Sequence, residues 1–389
     1  MEEIHLFIIW SKGIDQKDRI VEAISENFII CSIYNTTWSE NKFSNNLSRF
    51  YGENLPKNSH KEKYCGTDTF CCIIVKDNTP KYEIRDTSKG ARVVNTNLFD
   101  AKQLYRSWTS GNKIHATDNI EETKLQLALL YGKDYNEYLS QDTFNQNVID
   151  YKNDLIGANG WNSFDELFHV LNLTSNYIVL RNFDNLEEQL TTKHPDVDIL
   201  TENRNLTKDI LNAVKTTNKS YRVQHSVKIN NKDINFDIRY VGDNYYDKNW
   251  EIELLRTKVK HEKGFYIPDN PNLFYSLIYH ALIHKQHISE DYIKQFLTLS
   301  IRLNLDFKVC NLVDTSLLDI LFSYMHEHNY DIVEPYDLSV FFNERLINKK
   351  IYIPVSIKRT EYKNYLNFRS TIKKVILKTL RTLRILKNI

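Results

Sequence analysis

A chain of 389 residues is long for a single core and has room for two or three domains. A hydrophobic fraction of 41% and a charged fraction of 26% place it with ordinary globular proteins, and no apolar run reaches the roughly 18 residues that span a membrane. With only 10 Gly and 7 Pro it has little material for long linkers, and it contains neither G-x-G-x-x-G nor G-x-x-x-x-G-K-[ST], so the usual dinucleotide and P-loop fingerprints are excluded.

In chain order, residues 1–140 read as an N-terminal α/β domain. A buried strand at 4–10 leads to a helix at 15–27 with Ile20, Ala23, Ile24 and Phe28 at helical spacing, then a strand at 29–34. A helix begins near Ser39, and FCCIIVK (70–76) is a second buried strand. The stretch 77–113 is polar and poor in helical periodicity, and a helix at 120–131 closes the unit. Five cysteines (Cys31, Cys65, Cys71, Cys72, Cys310) form no C-x-x-C pair. Their odd number, with no basic leader at the N-terminus, fits a reducing cytoplasm.

Residues 160–265 form a second unit, a mixed sheet with helices. It opens with an amphipathic helix at 163–172 and a strand at 176–183. A helical or loop segment (184–192), the strand DVDILT (196–201) and a helix at 206–217 follow. Two further strands, SYRVQHSVKIN and DINFDIRYVG, meet at a hairpin-like turn around Asn230 and Asn231. From 270 to 345 the pattern is helical throughout, with Leu273, Leu277, Ile278, Ala281 and Leu282 on one face. The expected fold class is therefore α/β, mixed with α+β character.

The most informative motif is the D-x-D at Asp196 and Asp198. On a strand, residues i and i+2 face the same side, so both carboxylates project together while Val197 and Ile199 enter the core. Two carboxylates so close raise each other's pKa unless a cation lies between them, and Mg²⁺ or Mn²⁺ with phosphate oxygens is the usual resolution. Asp237, flanked by Phe236 and Ile238 about 40 residues downstream, offers a third acid from a neighbouring strand. A lone D-x-D is more often a solvated loop. Here it runs straight into an apolar strand.

This order of acids resembles the nucleotidyltransferase superfamily, which places a D-x-D on one strand and a third acid on a later one. The resemblance covers roughly 160–300 and is one of motif order. Where that superfamily has a Gly-Gly or Gly-Ser turn, this chain has Arg181 and Asn182. The resemblance implies Asp196, Asp198 and Asp237 as catalytic metal ligands, and Arg181 takes the place of the turn as a phosphate clamp, since guanidinium matches phosphate bidentately. Among superfamily members it looks like the glycan-decorating phosphotransferases of the fukutin and phosphocholine-transferase group.

Two further groups could bind substrate. His280, His284 and His287 fall at i, i+4 and i+7, beside Lys285, on what reads as one helical face. The bland reading is packing or surface histidines, and the functional one has His280, His284 or Lys285 touching substrate phosphate. The segment 106–123 carries Lys113, His115, Thr117 and Asp118. There Asp118 or Thr117 caps the next helix and His115 serves a second phosphate or sugar-phosphate site, with Arg49, Arg85 and Lys89 as nearby cations. A capped surface turn fits the segment equally well.

The net charge of +1 hides an asymmetry: the last 21 residues hold seven Lys/Arg and no acid, leaving 44 basic against 50 acidic residues elsewhere. Residues 369–389 place Ile372, Val375, Ile376 and Leu380 on one stripe with Lys373, Lys374, Lys378, Arg381 and Arg384 mostly off it. That is the pattern of an amphipathic helix on an anionic membrane surface. A partner-docking helix is the rival, and nucleic acid is the weaker choice for a mildly acidic body.

Together these features point to a cytoplasmic, peripherally membrane-associated, metal-dependent transferase. It would move a phosphate-containing or nucleotidyl group from a nucleotide-activated donor to a sugar or glycan acceptor. The setting would be surface-polysaccharide assembly at the bacterial inner membrane. The alternatives are a non-catalytic binding or regulatory protein docked through its tail, and an RNA nucleotidyltransferase.

Overall fold

The computed structural model describes residues 2–87, 90–141, 147–184, 186–193, 195–305, 307, 314–348 and 353–382. In chain order the first unit runs β1 (Glu3–Ile9), α1 (Lys17–Asn27), β2 (Ile29–Thr36), α2 (Phe43–Tyr51), α3 (His60–Cys65) and β3 (Phe70–Asp77). It continues with β4 (Tyr82–Thr87), β5 (Gly90–Asn95), α4 (Thr96–Trp108), β6 (Ile114–Ala116), α5 (Ile120–Tyr131), α6 (Tyr135–Leu139) and β7 (Val148–Tyr151). The sheet order is β6-β1-β3-β2-β7, antiparallel except for the β2–β7 pair. The central strands β1 and β3 are buried along their whole length, as their unbroken apolar runs require. Phe7, Ile9 and Ile73 pack with Ile20 and Ile24 of α1 and Leu98 and Tyr105 of α4, while Leu6, Ile8 and Ile74 face the opposite side.

That opposite side belongs to one continuous core with the second unit. The second unit runs α7 (Phe164–Thr174), β8 (Tyr177–Val179), α8 (Leu186–Gln189), β9 (Asp196–Thr201), α9 (Arg204–Ile210), β10 (Val214–Lys215), β11 (Gln224–Ile229) and β12 (Lys232–Tyr240). Then follow α10 (Lys248–Arg256), the small β13 (Val259–Lys260) and β14 (Tyr266–Ile267) pair, α11 (Asn270–Ile283), α12 (Glu290–Arg302), α13 (Asp314–Glu327), α14 (Glu344–Ile347) and α15 (Ile357–Thr382). Its main sheet has the order β10-β11-β12-β9-β8, with β9 and β12 parallel and the other pairs antiparallel. Asn230 and Asn231 both adopt positive φ (47° and 61°), the two-residue turn that matches hairpin twist.

One buried side chain, Arg49, fastens the units together, and a second, Trp161, anchors the segment that enters the second unit. Arg49 of α2 donates to the carbonyls of Ile156, Asp209 and Ile210 at 2.7–2.9 Å. The Trp161 indole donates to the Leu211 carbonyl (3.0 Å), and its backbone N–H donates to Lys228 (2.8 Å). The chain is thus a mixed α/β protein whose two sheets share a core.

Three expectations change. The polar stretch 77–113 holds a hairpin and the 13-residue α4, whose buried Lys102 among Leu98, Phe99 and Tyr105 masks the helical period. The helix expected at 206–217 ends at Ile210, because Asn212 turns at positive φ and the chain leaves as a strand. The 270–345 region is not helical throughout: residues 330–343 form a loop tied down by the buried Arg359 of α15. That guanidinium bonds Glu334 and the carbonyls of Pro335 and Val340 at 2.7–3.0 Å.

Candidate functional site

Alternation along β9 sends Val197, Ile199 and Thr201 into the core and leaves Asp196, Asp198 and Leu200 on the other face. The parallel neighbour β12 sets Asp237 abreast of Asp198 and Arg239 abreast of Leu200, and β11 adds Gln224 beside Asp237. On the far side the Leu180 N–H donates to the Asp198 carbonyl (2.9 Å), extending the β8 pairing so that Arg181 follows directly. The end of α11 supplies His280, His284 and Lys285, and the loop Ser339–Phe341 closes the rim. These groups line one cavity of about 440 Å³. The structure therefore brings together Asp196, Asp198, Asp237, Arg181, His280, His284 and Lys285. His287 is not among its lining residues: α11 ends at Ile283, and the i+7 face stops with it.

The charges are tightly arranged. Asp198 and Arg181, both buried, pair at 2.9 Å, and Asp237 pairs with Arg239 at 3.2 Å. Arg239 also lies 3.7 Å from both Asp243 and Asp337. Arg181 donates to the Tyr245 hydroxyl (2.9 Å), and that hydroxyl shares a 2.7 Å hydrogen bond with Nδ1 of His280. Burial, then the Arg181 charge, holds the His280 pKa well below its usual value; burial and Arg239 do the same to His284. Both imidazoles are neutral at pH 7. Withdrawal from water among its neighbours, then the Asp198 and Asp237 charges, pushes the Asp196 carboxyl up to about 7, although the residue stands at the exposed rim. Burial likewise raises Asp237, against the pull of Arg239.

Several buried polar atoms here have no hydrogen-bond partner: Oδ1 of Asp237, Nη1 of Arg181, Nε of Arg239 and both ring nitrogens of His284. Orphaned buried groups of both signs gathered in one cavity mark a place that a ligand completes. The three carboxylates suit a hard divalent cation, and Arg181, Arg222 and Lys285 suit phosphate oxygens. Among the described residues no three His, Cys, Asp or Glu side chains are grouped so as to hold a metal ion, and Asp198 and Asp237 are turned towards arginines.

Arg239, Arg222, Asp243, Tyr245 and Asp337 were not foreseen. Arg239 had a signal, since it lies two residues past Asp237 and must share its face. Tyr245 lies in the turn after β12 and Asp337 in the 330–343 loop, neither with a periodic pattern to mark it.

The second sequence-predicted group lies elsewhere. His115 in β6 is buried, donates from Nε2 to Gln126 (2.9 Å) and faces a cavity of about 690 Å³ shared with Lys102, Arg106 and Asp118. Burial, then Lys102, holds its pKa well below the usual value. Neither Asp118 nor Thr117 caps α5. Asn119 does, accepting from the Glu122 N–H (2.9 Å), while Asp118 pairs with Lys102 (2.6 Å). Lys113 is not among that cavity's lining residues, and its carbonyl accepts the Trp10 N–H (3.0 Å). Arg49 is structural, Arg85 pairs with Glu83 on an exposed hairpin, and Lys89 lies outside the described residues. In the tail, Lys373 and Lys374 are exposed on α15, the side chains of Lys378 and Arg381 are not described, and Arg384 lies outside the described residues. Among the described residues no helix is long and apolar enough to cross a membrane.

No family model matches the chain, and no curated protein matches it. Among solved structures it is similar to the nucleoside diphosphate kinase of Aquifex aeolicus in an orthorhombic crystal form. The identity is 15% over 33% of this chain and 94% of that one, with a TM-score of 0.23, a likeness that carries no argument.

Proposed function

We propose that the chain is a metal-dependent transferase that moves a phosphate-containing or nucleotidyl group from a nucleotide-activated donor to a sugar or glycan acceptor. The observation that carries this is Asp198 and Asp237 abreast on parallel strands, with Asp196 at the rim, opening on a cavity that also holds Arg181, Arg222 and Lys285. Asp196, Asp198 and Asp237 would hold Mg²⁺ or Mn²⁺, which supplies Lewis-acid stabilisation of phosphate charge. Arg181, with its Nη1 unpartnered, would clamp a phosphate, beside the neutral imidazole of His280. Lys285 adds an exposed positive charge at the rim. The cellular setting that fits is polysaccharide assembly at the cytoplasmic face of a bacterial inner membrane. There Phe368, Ile372, Val375 and Ile376, exposed on α15 beside Lys373 and Lys374, meet anionic lipid.

A second reading, a non-catalytic binding protein, is favoured by the arginines already paired to Asp198 and Asp237. The thermal midpoint of the full chain separates the two readings, measured with Mn²⁺ or Mg²⁺ and a panel of nucleotides and nucleotide-sugars. The transferase should show a metal-dependent rise with nucleotide that disappears in Asp196→Asn. No rise with any pair rejects it in favour of the binding protein.

A further inference from the structure

A second cavity, of about 670 Å³, borders the carboxylate site. One loop walls both: residues 333–338 line this cavity, and Ser339–Phe341 line the other. Arg239 sits in the partition, paired with Asp237 of the carboxylate site and with Asp243 and Asp337 of the second cavity. At the lip, Arg222 donates to the Ser339 hydroxyl, so Arg222 faces the carboxylate site while Tyr221 and Val223 face the neighbouring cavity.

The two linings differ in chemistry. The carboxylate site gathers Arg181, Arg222, Arg239 and Lys285, a set matched to phosphates. The second cavity is mostly apolar and presents the rings of Tyr221, Tyr240 and Tyr336 with Ser220 and Asn244. Its acids are engaged, Asp243 and Asp337 with Arg239 and Glu334 with Arg359 at 3.0 Å. Its lining also carries Arg204, which donates to the Arg222 carbonyl (2.8 Å) and lies 5.5 Å over the Tyr240 ring, and the exposed Lys358. Tyr336 is 61% exposed, a large ring held in water at the cavity wall. Flat aromatic faces beside hydroxyl and amide groups suit a ligand with apolar C–H faces and a rim of hydroxyls.

We propose that this tyrosine-lined cavity binds a saccharide and is the acceptor site. The saccharide binding stands on the cavity itself, and the acceptor role rests on the transferase reading. Donor phosphates and acceptor sugar would then lie on the two sides of the 333–341 loop.

The test is saturation-transfer NMR on the full chain with N-acetylglucosamine, cellobiose, lactose and octyl β-glucoside below its micelle concentration. Sugar-ring protons of at least one probe should receive saturation. Tyr336→Ala and Tyr221→Ala should each lower it severalfold, and Tyr336→Phe should retain it. In the same samples the metal–nucleotide rise in thermal midpoint should survive both alanine substitutions, which shows that the variants are folded. The proposal is overturned if no ring proton is saturated, if saturation survives both alanine variants, or if only the alkyl protons of octyl glucoside respond. Saccharide binding without any metal–nucleotide rise removes the acceptor role, whereas the rise without saccharide binding removes this site and leaves the transferase.

Discussion

Asp198 and Asp237 stand abreast across the parallel β9–β12 pair, yet each carboxylate turns to an arginine of its own, Arg181 at 2.9 Å and Arg239 at 3.2 Å. The guanidinium groups hold positions of positive charge that a divalent cation would otherwise fill. Removing one partner of a buried pair strands the other, at a cost of about 3–5 kcal/mol. Urea denaturation of Arg181→Ala without metal should show a loss of that size, and millimolar Mn²⁺ should recover part of it by replacing the lost charge. Equal loss with and without Mn²⁺ would mean that the carboxylates bind no cation.

The raised Asp196 carboxyl sets a pH dependence. Its folded value near 7 lies above the ordinary 3.8, so the folded protein holds a proton that the unfolded chain has released. Its contribution to stability therefore falls as pH rises between those values, and the penalty is complete above about 7. A cation competes with that proton, so Mn²⁺ affinity should weaken by roughly tenfold for each pH unit below 7. Titrations at pH 6 and pH 8 check this. A flat profile, or the same slope in Asp196→Asn, counts against the assignment.

Gly157 sits at φ +74°, where an added Cβ would come within 2.6 Å of the Trp161 ring. Since Trp161 anchors the segment that enters the second unit, Gly157→Ala combines backbone strain with overpacking and should cost about 2–4 kcal/mol. Chemical denaturation measures it. A change below about 0.5 kcal/mol, the ordinary surface range, would show that the junction yields freely.

For α15, a basic side chain near an anionic surface contributes at most about 1 kcal/mol. Lys373→Ala with Lys374→Ala should therefore weaken binding to phosphatidylglycerol vesicles by up to roughly thirtyfold, and salt should weaken the parent chain similarly. Cosedimentation reads this out. Binding indifferent to both charge and salt would point to a protein partner for the helix.

What the sequence made legible was local. The alternation of DVDILT predicted a strand at 196–201, and β9 occupies those residues with Asp198 and its neighbours facing as expected. The Asn230–Asn231 turn was legible because two adjacent Asn tolerate positive φ. Helix α4 was hidden because Lys102 buries its stem and bonds the Ala116 carbonyl (3.3 Å), placing a charge where the pattern expects an apolar residue. Asp243 and Tyr245 sit in the turn just after β12, where no period applies, and Asp337 reaches the site through tertiary approach, which no spacing rule encodes. The histidine stripe failed at His287 because the helix ends first, while His280 and His284 proved buried in the cavity wall.

The Arg359 anchor has a mechanical consequence. It fixes the first turn of α15 to the loop that walls both cavities, whereas residues 364–377 are exposed on every side. From residue 364 to Thr382 the helix extends about 27 Å at 1.5 Å per residue. A surface that captures the far end thus holds the cavities within a bounded reach, as a crane arm on a fixed footing keeps its hook within a set radius. For the proposed transferase, substrates embedded in that surface inside the radius would be reached and those beyond it would not. Helix length, more than affinity, would then set which acceptors come within range.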